Sequence, residues 1–304
     1  MQVNSPDTAP DYTAGNLREG TLDAKVLLKG QEGSLNNYRF SWEVARDQWS
    51  TPRHRHNFDQ IRYPVAGEVE YGGHLDVLPI GVVAYFPESM YYGPQIRHDN
   101  SVTVTIQFGG ASLNGFLSPE ERRRGFDELL QKGKFEKGVF TWYDETGKKH
   151  NKDSYEAVWE HIRGRKLKYP PPRYRDHIIM NPQNCAWMAV EQQPGVQRKW
   201  LGSYTERQIH CLMWKIAPGA RLSLPGYPAP QILFVTAGSV SVNGKQYGIH
   251  TAFGLDPGEA LPEMTGVTEN EILMYQLPLF TAQEQDEYRR SMQNAGGSKS
   301  KLAA

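Results

Sequence analysis

Through the first third of the chain, apolar and polar residues alternate in short runs: LDAKVLL at 22–28, NYRFSWEVA at 37–45, QIRYPV at 60–65, EVEYGG at 68–73, GVVAYF at 81–86 and SVTVTIQF at 101–108. A period of two over runs this short, each ended by turn residues, predicts antiparallel strands. The pattern changes after Ala111. Ser118-Pro119-Glu120-Glu121 supplies an N-cap, a proline at the first helical position and a capping-box glutamate, which predicts a helix over 119–132. Asp153 with Glu156 opens a second helix through Ile162, with Gly164 placed as its C-cap, and Pro170-Pro171-Pro172 forms a stiff connector. Strand signals resume near Asn184 and continue to Leu279, and a polar tail follows. The expected organisation is an N-terminal arm (1–21), a β-rich half (22–111), a mostly helical insertion and connector (112–183), a second β-rich half (184–280) and a tail (281–304).

The two β-rich halves carry a short internal match. Setting Gln60 over Gln231 also sets Ala66-Gly67-Glu68-Val69 over Ala237-Gly238-Ser239-Val240, as a duplicated unit would.

Composition narrows the classes. Among 304 residues, Gly 29 and Pro 20 fit a turn-rich β protein, and 38% hydrophobic with 22% charged residues fits a packed globular chain. Lys+Arg 34 cancels Asp+Glu 34, so no global positive field favours nucleic acid or anionic lipid. The expected partner is a small molecule or a second copy of the chain as a homodimer. The opening residues have neither a basic nor an apolar leader segment, and no long apolar run occurs, so a cytoplasmic protein is expected. Cys185 and Cys211 are too few for a disulfide framework and are expected to be reduced.

The segment HRHNFDQIRYPVAGE at 54–68 places His54, His56, Phe58, Gln60 and Arg62 on one face of an extended strand. A hairpin return through GVVAYFPESMYYGP brings Tyr92 back toward that face. His98 and His74 fall in turns and are expected to be solvated, as is the Arg122-Arg123-Arg124 run on the first helix.

These two segments resemble the cupin superfamily, whose first motif is a glycine, HxHxxxE and a glycine, and whose second is a glycine, PxG and a histidine. The resemblance covers about 22–110 and, in degenerate form, about 186–280. It implies an all-β chain of two jelly-roll barrels, a bicupin, with the helical insertion between them. Gln60 stands at the motif's glutamate and Tyr92 at its second histidine, while Pro225, Tyr227, Gln231 and Pro262 stand at the matching positions of the second half. By the resemblance, His54, His56 and Gln60 would hold a divalent metal (Fe, Mn, Ni or Zn). His54, His56 and Tyr92 would carry the catalysis, with Gln60, Arg62 and Phe58 contacting substrate. The implied function is a metal-assisted oxygenase or lyase of secondary or aromatic metabolism. A metal-free acid–base isomerase or cyclase and a non-catalytic ligand-binding bicupin stay open beside it. The second half is expected to serve packing.

Overall fold

A computed structural model describes residues 1–12, 19–71 and 77–299; the expected turn at His74 lies outside them. The chain is mostly β. The first half builds a nine-stranded antiparallel sheet. Its main path runs Ile178–Met180, Val83–Phe86, Phe58–Ala66, Val102–Gly109, Tyr38–Thr51, Glu19–Lys29 and Asp11–Tyr12. Two short strands, Val69–Glu70 and Gln95–Arg97, join it through the far end of Tyr38–Thr51. The second half builds a seven-stranded sheet in the order Gln2–Asn4, Ala252–Leu255, Gln231–Ala237, Glu271–Gln276, Ile209–Ile216, Val196–Tyr204 and Met188–Ala189. A four-stranded sheet lies in the same half, formed by Arg221–Leu222, Met264–Gly266, Val240–Val242 and Lys245–Tyr247.

The two main paths match strand for strand. Gln60 pairs with Gln107 and Phe86, and Gln231 pairs with Gln276 and Leu255, so the short match in sequence marks equivalent strands. The outermost strands are exchanged. Gln2–Asn4, at the start of the chain, pairs with the second half's sheet, Asn4 opposite Ala252. Ile178–Met180, just ahead of the second half, pairs with the first half's sheet, Met180 opposite Val83. Each exchange covers a sheet edge that would otherwise expose unpaired backbone.

Period-two alternation gives each sheet two faces. One apolar face of the first sheet, with Tyr38, Phe40, Ile61, Tyr85 and Ile106, packs against Ile209, Phe234 and Tyr275 of the second to form one continuous core. At its centre the Phe40 ring meets Phe234 edge-on at 5.6 Å and Tyr275 at 6.0 Å. The opposite faces differ between the halves. In the second half, Trp214, Leu233, Val235, Leu255 and Met274 fill it with a second apolar core. In the first half it carries Arg39, Glu43, Gln60, Arg62, Thr105 and Gln107, all buried.

The segment expected to be mostly helical is mixed. Its helices form at Pro119–Leu130, with the Ser118–Glu121 capping box, and at Ser154–Arg163, with Asp153 as N-cap and Gly164 left-handed at the C-cap. Between them lies a three-stranded meander, Gly133–Glu136, Val139–Tyr143 and Lys149–Asp153. Lys137 and Gly138 both adopt positive φ, 48° and 81°, the geometry of a tight hairpin turn. Charged residues on the meander's outer positions hide its period, and Phe135, Phe140 and Trp142 stack in a row on its inner face. The polar C-terminal stretch, which reads as a frayed helix or a tail, is a helix, Ala282–Lys299. Thr281 and Glu284 cap it reciprocally, and Tyr288 anchors it against Leu35 and Phe280. Among the described residues, no helix is long and apolar enough to cross a membrane.

Because Phe40 is fully buried between the two sheets, Phe40→Ala should cost about 3–5 kcal/mol. Urea unfolding followed by far- and near-UV circular dichroism checks this, and both halves should melt in one transition. An unchanged midpoint would contradict the shared core.

Candidate active site

The strand Phe58–Ala66 and the residues leading into it place the expected side chains in one cluster. Backbone hydrogen bonds in both directions, each 3.0 Å, join His54 to Tyr92 and fix the two relative to each other. The ring of His54 then lies 4.5 Å from that of Tyr92 and 4.7 Å from that of His56. His56 stacks on Phe58 at 4.3 Å, and Tyr155 of the helix Ser154–Arg163 meets His56 edge-on at 5.6 Å. His54, His56, Phe58, Arg62 and Tyr92 all line a cavity of about 560 Å³ inside the first half.

The hydrogen bonds define what each group can do. His54 Nδ1 lies 2.7 Å from the Pro52 carbonyl, which can only accept, so Nδ1 carries the hydrogen and Nε2 keeps the lone pair in the neutral ring. That Nε2 faces His56 Nε2 at 3.1 Å. Gln60 turns its carbonyl to Arg62, accepting from Nη2 at 3.1 Å and Nε at 3.3 Å, and donates its amide to the Tyr92 oxygen at 2.7 Å. Arg62 Nη2 also donates to that oxygen at 3.3 Å. Gln60 thus bridges Arg62 and Tyr92, and its carbonyl faces a guanidinium. His98 bonds Glu70 at 2.5 Å and does not line the cavity.

A second group of cavity residues was not legible in the sequence. Glu43 accepts from Ser41, Arg97 and Thr105 at 2.8–2.9 Å and pairs with Arg39. Burial pushes its carboxyl up, but the Arg97 and Arg39 guanidinium groups outweigh that and hold it down to about 2. Arg39 also donates to Gln107 at 2.7 Å, and Gln107 donates to Gln60 at 3.4 Å, so one network runs from Glu43 to Tyr92. The arginine run on the first helix splits: Arg123 and Arg124 are exposed, whereas Arg122 turns inward and donates to the Tyr12 hydroxyl at 3.0 Å. The one signal for this network is the alternation Arg39-Ser41-Glu43 opposite Phe40 and Trp42, which reads equally well as a solvated face.

No family model matches the chain, and no curated protein matches its sequence. Solved structures do. A dioxygenase candidate from Nostoc punctiforme aligns over 91% of this chain and 82% of its own, at 11% identity and a TM-score of 0.61. Streptomyces albus HEPD, with 2-hydroxyethylphosphonate and Fe(II) bound, aligns over 91% and 76%, at 14% identity and 0.52. A mutant of Bacillus subtilis oxalate decarboxylase aligns over 92% and 77%, at 12% identity and 0.52.

The chain has the cupin fold.

Within this cupin fold the two halves hold different side chains at equivalent places. The register that pairs Arg62 with Thr105 pairs Leu233 with Met274 in the second half, and the register that pairs Glu43 with Thr103 pairs Trp214 with Ile272. Polar lining on one side is apolar filling on the other. Tyr227 sends its hydroxyl to Gln208 at 2.7 Å.

On the opposite face of the histidine strand, Asp59 is fully buried, and Glu88 lies beside it. Asp59 Oδ1 accepts the Glu88 backbone N–H at 2.7 Å, and the Tyr85 phenol also faces its carboxyl. Burial, and then the Glu88 carboxylate, push the Asp59 carboxyl up to about 8. The folded state therefore holds a proton that the unfolded chain releases near pH 4. Its stabilising contribution is full below that pH and is lost as pH rises toward 8. Asp59→Asn keeps the acceptor for Glu88 N–H and removes the titration. Its melting temperature should change less between pH 5 and pH 8 than that of the wild type, with the gap widening in the variant's favour at pH 8. Parallel slopes in differential scanning calorimetry would rule this out.

Proposed function

We propose that the protein is a small-molecule enzyme of the acid–base type, an isomerase, cyclase or lyase, with its reacting centre at His54, His56 and Tyr92. The observation that carries this reading is the histidine pair: two imidazoles share a hydrogen across 3.1 Å while the Pro52 carbonyl fixes the tautomer of one. A proton taken from a ligand by either ring produces an imidazolium that the other ring stabilises. The Pro52 carbonyl accepts the His54 Nδ1–H throughout. Tyr92 is the proton donor. Its oxygen accepts from Gln60 and Arg62, which steadies the negative charge left when the hydroxyl gives up its hydrogen to a developing oxyanion or leaving group. Phe58 and Tyr155 supply the apolar wall that keeps water away from the rings. In this reading the two halves are a bicupin pair of barrels, and the second serves as the packing partner of the first.

A second reading is favoured by the same distance. At 3.1 Å apart, the two Nε2 atoms would be close enough to hold one divalent ion between them. Streptomyces albus HEPD holds Fe(II). The residues present meet such an ion part of the way: His54 and His56 would hold it, and no group of three His, Cys, Asp or Glu converges among the described residues. The Gln60 carbonyl would have to leave Arg62 to join them. When bound, the ion would supply Lewis-acid or redox chemistry.

The test uses a panel of enolisable carbonyl compounds in deuterated water, with uptake at the acidic carbon read by mass spectrometry, and metal content read by elemental analysis. His54→Ala and His56→Ala should each slow exchange about 10²–10⁴-fold, and Tyr92→Phe about 10-fold or more, with the fold intact. Tyr227→Phe should leave the rate unchanged. Treatment with a chelator should also leave it unchanged; stoichiometric metal and a chelator-sensitive rate would establish the second reading instead. Full exchange by the histidine variants would remove the site assignment. Ligand-induced stabilisation without exchange of any compound would make the protein a binding module.

A further inference from the structure

The cavity wall carries more positive charge than its own acids neutralise. Two ion pairs at its outer edge cancel themselves, Lys25 with Asp11 and Arg46 with Asp23. Deeper in the wall, Glu43 is shared between Arg39 and Arg97. Arg62 and Arg122 also line the cavity, and neither forms an ion pair among the described residues. The partners of Arg62 are the Gln60 carbonyl, the Tyr92 oxygen and the rings of Phe86 and Tyr71, at 4.8 and 5.1 Å. The partner of Arg122 is the Tyr12 hydroxyl.

A guanidinium stays charged in a protein interior, and burying it without a counter-charge is costly. The crowding is visible in the neighbours. Burial, then the Arg122 charge, lower the proton affinity of Arg39. The Tyr12 phenol is lowered too, because Arg122 and Arg39 together outweigh the effect of its burial. Four guanidinium groups thus share one buried carboxylate. The two without an acid are linked by the hydrogen-bonded chain Arg62–Gln60–Gln107–Arg39, then by the Arg39 guanidinium over the Tyr12 ring at 5.3 Å, and last by the Tyr12–Arg122 hydrogen bond. The lining also holds the aromatic rings of Phe58, Trp49 and Tyr155. A volume of about 560 Å³ holds a molecule larger than a bare inorganic anion.

We infer that the ligand of this site is a small dicarboxylate with an apolar body, one carboxylate on Arg62 beside the histidine pair and the other on Arg122 with Arg39. This names the substrate class of the enzyme proposed above and rests on that assignment of the site. The Arg62 end places the ligand carbon next to its carboxylate within reach of His54, His56 and Tyr92. The Arg122 end sets length and selectivity. Arg122 comes from the helical segment between the halves, so the insertion selects the ligand and the sheet performs the chemistry.

The test is isothermal titration calorimetry at fixed ionic strength with aryl dicarboxylates of graded length, from phthalate to p-phenylenediacetate, against phenylacetate and the dimethyl esters. The best dicarboxylate should bind about tenfold or more tightly than phenylacetate, and the esters not measurably. Arg122→Gln should remove that advantage and leave phenylacetate within about twofold. Arg62→Gln should weaken both acids by about tenfold or more. Near-UV circular dichroism confirms that each variant is folded, and if Arg62→Gln does not fold, Arg122→Gln decides alone. Equal affinity for mono- and dicarboxylates, an Arg122→Gln protein indistinguishable from wild type, or no binding by any dicarboxylate of the series would each overturn the inference. Dicarboxylate binding with no deuterium exchange would defeat the acid–base function and leave this inference standing. Exchange on uncharged ketones, indifferent to Arg122→Gln, would do the reverse.

Discussion

Everything in this molecule hangs on the contact between two apolar sheet faces, centred on Phe40 between Phe234 and Tyr275. A strand has only two faces. Once Tyr38, Phe40, Ile61 and Ile106 are committed to the contact with the other half, the intervening residues Arg39, Ser41, Glu43, Gln60, Arg62 and Gln107 must all point the other way. They are buried all the same, and Arg122 and Tyr155 of the helices at 119–130 and 154–163 line the same cavity. The outcome is a polar interior in one half, walled on its outside by an apolar core.

The second half uses the same geometry with different side chains. Its sheet makes the same face-to-face contact with equivalent strands, yet Trp214, Leu233 and Met274 fill the space that Glu43, Arg62 and Thr105 line in the first. Duplicated topology and divided labour are compatible because register fixes which face a residue occupies, while side-chain chemistry alone decides whether that face is a cavity or a core. The exchanged edge strands, Gln2–Asn4 and Ile178–Met180, tie the halves together at both ends of this contact.

Inside the cavity, Glu43 is the element that lets several guanidinium groups coexist. One carboxylate accepting from Arg97, Ser41 and Thr105, and paired with Arg39, offsets part of the desolvation of two cations and orients both. Through Arg39, Gln107 and Gln60 the orientation passes to Arg62 and Tyr92. Arg62 is held in its charged form, since the phenol oxygens of Tyr71 and Tyr92 and the Glu43 carboxylate outweigh the effect of its burial. The lining of this cavity thus carries a surplus of positive charge.

The sequence by itself determined the strands, because period-two alternation is a local consequence of the extended backbone. It also determined both helices at 119–130 and 154–163 through their caps, and it put Phe58, Gln60 and Arg62 on one face by their parity on one strand, while His54 and His56 precede that strand and are held by the bridge from His54 to Tyr92. The match of Gln60 with Gln231 located equivalent strands. What local pattern could not reveal was decided in three dimensions. The meander at 133–153 is masked by its charged outer positions, and the terminal helix by its low apolar content. Arg39 and Glu43 come from one long strand, Arg97 from a short strand and Arg122 from a helix, far apart in the chain, and alternation assigns such residues to solvent with equal ease. Only the packing of Phe40's face against the second half assigns that face to the shared core, and so turns a row of charged residues from a surface into the lining of a cavity.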